Sequence, residues 1–248
     1  MTSPDPVVSE KLGFPDRAWL KMSMDNADPS LKDDVLRVSI VSGDDEFEKI
    51  ATELTSGELH WQKRLIDRQK QRLTQFATQE GAHFLVDLTS PESNPDNSLE
   101  CSGDYALARD MLGELFPLCS LLQARQIDMD FGACSEESII GCLAGLELAS
   151  YDYRRWRGDT DEQLPAAGLR ISLAGHANFP DQLIDLAIAQ GHAVNVARHL
   201  VNLPAAELNP SSYAKLVEAL FKDSDKSTVT VWDKARLEKE QMGLMLAV

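Results

Sequence analysis

The sequence predicts an α/β fold in which a largely parallel sheet is covered by helices. Short apolar segments with strand-like alternation recur along the chain, and amphipathic segments with helical spacing separate them. Helices placed between strands return the chain across the sheet, which makes the neighbouring strands parallel. The composition fits this class, because 43% hydrophobic and 26% charged residues are typical of globular proteins and argue against a disordered chain.

The first predicted elements are an arm, a strand and a helix. Residues 1–33 contain four prolines among acidic and small residues, and we expect an arm that is ordered only where its apolar side chains contact a surface. Residues 35–41 alternate as a strand. Asp44 or Asp45 is expected to cap the next helix. The apolar face of that helix consists of Phe47, Ile50, Ala51 and Leu54.

A longer amphipathic helix is predicted over residues 59–78, because the apolar residues there share one face. The opposite face carries the only dense basic run of the chain. A solvated helix face is the favoured interpretation of this run, and a polyanion site is the alternative. The run consists of Lys63, Arg64, Arg68, Lys70 and Arg72.

The middle of the chain continues the alternation. Residues 83–88 are predicted to form a buried strand, and residues 104–124 an amphipathic helix that Pro117 should kink or interrupt. Residues 127–131 alternate as another strand. Ser135 is expected to cap the next helix. The body of that helix is almost entirely apolar or small, which predicts that it is buried.

The last part of the chain contains further strands and helices. Residues 169–173 are a predicted strand and residues 180–200 a long helix. Asn209 should cap the following helix and Pro210 should begin it, because proline suits a position whose N–H has no helical partner. A short helix capped by Asp233 is expected to end near Gly243. The strands on either side of this short helix are predicted over residues 229–232 and 244–248.

Charge and cysteine usage exclude several classes of function. The chain has 40 acidic and 24 basic residues and a net charge of -16, which opposes non-specific binding to a phosphate backbone. There is no apolar run of membrane-spanning length and no signal-peptide pattern. The cysteines lack C-x-x-C spacing, so we expect reduced core thiols in a cytoplasmic compartment. They are Cys101, Cys119, Cys134 and Cys142.

Two groups of polar residues are candidate ligands or catalytic groups. His192 and His199 share a helix face, but only Asn195 offers a further oxygen between them, so a structural role is favoured over metal binding. Asp128 and Asp130 share a strand face. Paired carboxylates can perform acid–base chemistry, but an exposed strand face is the favoured interpretation.

Two patterns that contain glycine are also candidates. Gly141 and Gly145 indicate close helix packing, because their alternative meaning as a membrane-dimer motif needs a transmembrane helix. Residues 132–135 precede a helix and would place an anion at its N-terminus, although no glycine-rich phosphate loop supports such a site. No Walker, G-x-S-x-G or H-E-x-x-H motif occurs in the sequence.

Segments of the second half of the chain resemble the leucyl aminopeptidase family. Residues 145–153 (GLELASYDY) resemble a helix end in the family's N-terminal domain. Residues 193–210 (AVNVARHLVNLPAAELNP) resemble its linker helix and the Asn-x-Pro turn that follows. Residues 229–233 and 242–248 resemble the strand, short helix and Met-Gly-leading strand of its peptidase domain.

The resemblance implies an aminopeptidase that uses two divalent ions, usually zinc or manganese, to polarise the peptide carbonyl and activate water. The family's ligand-bearing stretches, rich in Lys, Asp and Glu, have no counterpart in this chain, so no catalytic or metal-binding residue is assigned to it. The matched positions Arg198, Asn202, Pro204 and Pro210 are expected to be structural. The asparagine satisfies backbone groups, the prolines stop one helix and start another, and the arginine favours a helix C-terminus.

The resemblance also implies how the whole chain is organised. We expect an arm (1–33), a macro-domain-like α/β domain (34–177), a linker helix (178–203) and the truncated beginning of a peptidase domain (204–248). The intact protein would be a cytoplasmic, hexameric aminopeptidase acting on peptides, while this chain alone would serve assembly or regulation and bind no metal. The alternatives are a non-catalytic binding or assembly subunit and, less favoured, a nucleic-acid-binding domain.

Overall fold

The computed structural model describes residues 20–23, 35–55, 72–78, 81–89, 104–151, 153, 169–174, 179–222 and 225–247. Thirteen helices and strands lie within these ranges. They are β1 (Leu20–Ser23), β2 (Val35–Val41), α1 (Asp44–Leu54), β3 (Leu73–Thr78), β4 (Gly81–Asp87), α2 (Asp104–Leu121), β5 (Gln126–Asp130), α3 (Glu136–Ala149), β6 (Leu169–Ala174), α4 (Asp181–Asn202), α5 (Pro210–Phe221), α6 (Lys234–Lys239) and α7 (Gly243–Leu246).

The six strands form one sheet in the order β1-β6-β5-β2-β4-β3. Neighbouring strands are parallel, except that β3 and β4 are antiparallel. β2 lies inside the sheet, and its Val38 is the register partner of Phe84 in β4 and of Met129 in β5. The predicted α/β class with a mainly parallel sheet is therefore confirmed.

The sheet separates two apolar clusters. Alternate side chains of a strand point to opposite faces, so β2 contributes Val38 and Ile40 to one cluster and Val41 to the other. The larger cluster also contains buried residues of α2, α3 and α4, whereas the smaller one contains Phe47 and Ala51 of α1. The helix after β2 and the helix after β5 therefore cover opposite faces of the sheet.

α2 and α3 pack closely because α3 carries two glycines on the contact. A Cβ atom at Gly141 would lie 2.5 Å from the backbone oxygen of Tyr105, and one at Gly145 would collide with the backbone oxygen of Arg109. Real Cβ atoms do not approach backbone this closely, so any larger residue would push the helices apart. The interpretation of these glycines as a close-packing motif is confirmed.

The predicted helix over 59–78 is wrong in its C-terminal part. Residues 73–78 form β3, which pairs antiparallel with β4, and residues 59–71 lie outside the described residues. The last six residues alternate, with Phe76 buried between the exposed Gln75 and Ala77, and the pairing with β4 supplies backbone hydrogen bonds. Helical spacing of apolar residues was present in the sequence, but tertiary pairing outweighed it.

Two predictions about helix details are also corrected. The N-cap of α1 is Gly43, not Asp44 or Asp45, and it has no side chain to accept a hydrogen bond. Asp44 and Asp45 lie in the first turn, where their carboxylates interact favourably with the positive end of the helix dipole. Of the two effects predicted for Pro117, a kink or an interruption, the interruption is wrong, because α2 runs through the proline to Leu121. Apolar residues on both sides of this proline are buried, and their packing outweighs the one backbone hydrogen bond that proline removes.

Three predicted caps are confirmed. The Ser135 side chain accepts a hydrogen bond from the backbone N–H of Ser138, Asn209 caps α5 with Pro210 in its first turn, and Asp233 accepts from Arg236 N–H at 2.9 Å to cap α6. Each side-chain oxygen satisfies an N–H that has no partner within the helix.

Described residues up to Ala197 form one compact unit, and those from Arg198 onward belong to another. In the second unit the two predicted strands are absent: residues 229–232 have no regular structure, and Gly243–Leu246 form the short helix α7. A strand is stable only when it is paired, and no described residue pairs with either segment. Most of their apolar side chains are exposed, with Leu244 at 90%.

None of the helices within the described ranges is both long and apolar enough to cross a bilayer.

Candidate functional site

The end of α4 and the start of α5 form the turn that the sequence singled out. α4 ends at Asn202, and the N–H of Leu203 donates to the His199 carbonyl at 3.1 Å. Pro204 follows and disfavours a helical conformation of the residue before it. Its carbonyl accepts from the N–H groups of Glu207 (2.8 Å) and Leu208 (2.9 Å), which closes a compact turn. The predicted motif residues are thus placed at two helix ends.

The side chains of this motif differ in exposure. Arg198, Asn202 and Pro210 are exposed and Pro204 is half-buried, while the neighbouring His199 is only 3% exposed. His199 is therefore held in the interior of the protein and is not displayed at its surface. These positions lie at the end of α4, in the turn that follows it and at the start of α5.

A capping box fixes the start of α5. The Asn209 side-chain oxygen accepts from the N–H groups of Ser211 and Ser212, both at 3.1 Å. In return, Ser212 Oγ accepts from Asn209 N–H at 2.9 Å and donates to the Glu207 carbonyl at 2.6 Å. Sequence reasoning found the asparagine but missed the serine, although a serine three residues after a cap was the available signal.

His192 and His199 do not form a metal site together. Nδ1 of His192 lies 3.7 Å from a carboxylate oxygen of Glu147, and Asn195 donates from Nδ2 to the Glu147 carbonyl at 2.7 Å. The part of the chain that the structure describes contains no group of three or more His, Cys, Asp or Glu able to hold a metal ion. The side chains of His192 and Asn195 in α4 both contact Glu147. Sequence reasoning did not single out this glutamate, which lies inside an apolar helix.

The loops after β2 and β5 meet at the carboxyl ends of two adjacent strands and then lead to opposite faces of the sheet. Such switch points are where ligands bind in open α/β sheets. Residues 132–135 were the candidate anion site. In the structure, the carboxylate of Glu46 in α1 contacts this loop. Its Oε1 accepts from Ala133 N–H at 3.2 Å, and a Cβ atom at Gly132, whose φ is 46°, would collide with it.

Asp128 and Asp130 share a strand face, as predicted, but each has its own partner. Asp128 accepts from Gln126 Nε2 at 2.6 Å, and Asp130 accepts from Gly132 N–H at 3.1 Å. Asp128 is half-buried and Asp130 exposed. The two carboxylates therefore accept hydrogen bonds from different donors and do not form the paired arrangement of an acid–base site.

The same face of the sheet holds a half-buried histidine. His83 Nε2 lies 2.9 Å from Ser39 Oγ, on the neighbouring strand. Burial lowers the pKa of His83, the nearby Arg37 lowers the pKa further, and Asp130 partly offsets both. The imidazole is therefore kept neutral and acts as a hydrogen-bonding partner of the serine.

The described cysteines are free thiols. Burial raises the pKa of Cys119 to about 12 and that of Cys134, beside Glu46, to about 11, and burial also raises the pKa of Cys142 well above its ordinary value. Thiols are nucleophilic and metal-binding only as thiolates. Cys119 and Cys142 are buried and Cys134 is half-buried, which agrees with the prediction of core thiols, and Cys101 lies outside the described residues.

One member of the basic run is described. Arg72 donates from Nη1 to the carbonyls of Thr89 at 2.9 Å and Asp87 at 3.4 Å, so it ties the start of β3 to the end of β4. The favoured interpretation as a solvated helix face is therefore wrong for Arg72, which is half-buried beside a strand. Lys63, Arg64, Arg68 and Lys70 lie outside the described residues.

Comparison with known proteins first gives the class of fold. A structure titled "Bottromycin maturation enzyme BotP" matches over 83% of this chain and 40% of its own, with a TM-score of 0.53 and 17% identity. A second, of BotP in complex with Mn, matches over 76% of this chain and 36% of its own, with a TM-score of 0.50 and 16% identity. At these identities the likeness shows a shared fold.

The family then follows from the sequence. Residues 195–248 match the family described as "Cytosol aminopeptidase family, catalytic domain". A probable cytosol aminopeptidase of Leifsonia xyli subsp. xyli is 27% identical over 72% of this chain and 34% of its own length. One of Protochlamydia amoebophila is 31% identical over 57% of this chain and 28% of its own. The chain is thus similar to cytosol aminopeptidases, and it spans 28% to 34% of the length of these two relatives.

Proposed function

We propose that this chain is the N-terminal part of a leucyl-aminopeptidase-like metalloexopeptidase that removes amino acids from the N-termini of peptides. The observation that carries the proposal is the family match over residues 195–248. This segment begins within α4 and continues through the proline turn into the capped helix α5. Relatives three to four times longer than the matched part support the inference that the catalytic machinery needs more sequence than this chain supplies.

Within that function, the chain would serve assembly or regulation, and the metal ions would bind elsewhere. The intact enzyme would use two zinc or manganese ions and form a homo-hexamer in the cytoplasm. A Mn-bound structure of the BotP enzyme, which has a similar fold, supports divalent-metal use. The described residues of this chain do not fit a dinuclear centre, because no three of their metal-binding side chains converge. No catalytic step is therefore assigned to them.

The proposal also divides the chain into four regions. An arm (1–33) precedes a macro-like α/β domain (34–177), and residues 20–23 of this arm join the sheet of that domain as β1. The linker helix (178–203) leads to the first part of a peptidase domain (204–248). The fold of the described residues supports an α/β domain up to β6, and the continuous helix α4 supports a linker at this place.

A metal-dependent peptidase assay tests the proposal. Purified 1–248 should not hydrolyse a leucyl p-nitroanilide with or without added Mn²⁺ or Zn²⁺, because the family's ligand-bearing stretches are absent from it. A full-length relative assayed in parallel controls for substrate and metal. Turnover by the chain that survives further purification and is abolished by a chelator would contradict the proposal.

The exposed apolar side chains of α7 favour a second candidate, a non-catalytic binding or assembly subunit. The intact mass of the native protein separates the two. A native polypeptide that continues with the family's Lys, Asp and Glu stretches supports the peptidase, whereas one of 27.4 kDa supports the subunit.

A further inference from the structure

The last described helix, α7, presents two methionine side chains at the surface. Met242 is 41% exposed and Met245 is 66% exposed. The N–H of Met245 donates to the Met242 carbonyl at 3.1 Å, so one turn of backbone holds the two residues together. Between them lie Gly243, which has no side chain, and Leu244, which is 90% exposed. We call the exposed apolar side chains of residues 242–246 the α7 surface, and water and small solutes reach both of its thioethers.

The core contains a methionine in the opposite situation. Met129 in β5 is 0% exposed and belongs to the larger apolar cluster. Oxidation of a thioether follows its exposure, because the oxidant must reach the sulfur. Burial therefore protects Met129, whereas Met242 and Met245 are open to attack. The molecule thus contains its own reference for methionine reactivity.

The charge of the segment that carries the α7 surface favours contact between two copies of the chain. The whole chain has a net charge of -16, so two copies repel each other. Residues 225–247 contain four basic and four acidic residues, so this segment is neutral as a set. A second copy can therefore dock on the α7 surface with little repulsion, and it gains free energy by burying apolar side chains there.

We propose that Met242 and Met245 are a peroxide-sensitive modification site that controls the association of two copies of this chain through the α7 surface. A lone pair of the thioether sulfur attacks one oxygen of hydrogen peroxide. An S–O bond forms, the O–O bond breaks, and the second oxygen leaves as water with both protons of the peroxide. The sulfur loses two electrons and the peroxide gains them, so the product is methionine sulfoxide.

Oxidation weakens the association because it makes the α7 surface polar. The sulfoxide oxygen is hydrated in the separate chain and loses that water when a second copy covers it. The change is reversible, since methionine sulfoxide reductase returns two electrons from thiols and releases the oxygen as water. The chain therefore separates under oxidising conditions and associates again under reducing ones.

Hydrogen peroxide treatment of the full chain, followed by peptide mass spectrometry, tests the modification site. Met242 and Met245 should be oxidised at least roughly tenfold faster than Met129, because only their sulfurs are accessible. Equal rates at the three positions would overturn the proposal.

Analytical ultracentrifugation of the same samples tests the control of association. The untreated chain should self-associate, and oxidation should raise the dissociation constant roughly tenfold, which corresponds to losing the burial of about one apolar side chain. Treatment with methionine sulfoxide reductase and dithiothreitol should restore the original value. A chain that stays monomeric before oxidation would show that a different polypeptide covers the α7 surface, and the proposal would be wrong. Association that persists unchanged after both methionines are oxidised would contradict it equally.

The double variant Met242→Leu, Met245→Leu is the matched control. Leucine keeps the apolar character and nearly the volume of methionine but has no sulfur, and both positions are exposed, so the fold should be unaffected. The variant should associate like the untreated chain and should not respond to peroxide. A response equal to that of the wild type would place the sensitive group elsewhere and overturn the proposal. These measurements read oxidation and association, so they succeed or fail independently of peptidase activity.

Discussion

His83 shows how a single side chain makes the stability of the fold depend on pH. It lies half-buried beside Arg37, and its ring accepts or donates one hydrogen bond with Ser39. Burial and the arginine lower its pKa from 6.5, so folding favours the neutral ring.

Replacing His83 with Gln should make the protein less sensitive to acid. In the wild type the unfolded chain binds the His83 proton more readily than the folded one, so stability is present above about pH 6.5 and is lost as pH falls toward the lowered pKa. Glutamine places an amide where Nε2 lay and cannot be protonated. Urea midpoints between pH 7.5 and 5 should therefore fall less steeply in the variant. An unchanged slope would show that His83 does not set it.

Gly145→Ala should destabilise the chain by roughly 1–3 kcal/mol, because the added methyl collides with the Arg109 backbone. Gly113→Ala in α2 is the matched control. There the new Cβ would lie 4.0 Å from the nearest atom, and the better helix propensity of alanine should stabilise by about 0.5–1 kcal/mol. Chemical denaturation measures both. Equal effects of the two substitutions would contradict the close-packing argument.

Among the helices and strands, some features could be predicted from the sequence and others could not. Helix starts such as Ser135 and Asn209 were predictable, because a cap is a local matter of one side chain and the next three N–H groups. β3 was not, since its apolar spacing also fits a helix and the deciding hydrogen bonds come from β4. The Glu147–His192 contact was out of reach for the same reason, as it joins residues on two helices.

Asn209→Ala should weaken α5 by about 1 kcal/mol, because it removes the acceptor of two backbone N–H groups. Ser211→Ala, at an exposed neighbouring position, should change stability by less than about 0.5 kcal/mol. Hydrogen exchange in residues 210–216 reports the loss directly. Equal exchange in both variants would mean that the capping box does not stabilise the helix.

On the scale of the whole molecule, the two ends of the described chain differ in burial. The larger apolar cluster reaches from β2 to α4, whereas α6 and α7 bury no residue. The Arg236 guanidinium lies over Trp232, 4.6 Å from its ring centre, and Trp232 remains 37% exposed. We therefore expect another polypeptide to cover these exposed apolar residues.

Limited proteolysis should therefore cut residues 225–247 first and leave a stable core that ends near residues 177–200. Each exposed leucine or valine would gain roughly 1.5–3 kcal/mol on burial, so the uncut chain should also self-associate at high concentration. Replacing Leu244 and Met245, which are 90% and 66% exposed, with Gln should reduce that association. Uniform protection through residue 247 in a dilute monomer would contradict the prediction.

The pairing of β1 with β6 has a kinetic consequence. Leu20 is the register partner of Leu169, so roughly 150 residues of chain separate two strands that lie side by side. Closing so long a loop has a large entropic cost that no local contact offsets, and contacts between distant residues form late. β1 has no place to dock until β6 has joined β5. Among the described strands we therefore expect β1 to enter the sheet last, so that a nascent chain must complete β6 before β1 can fold.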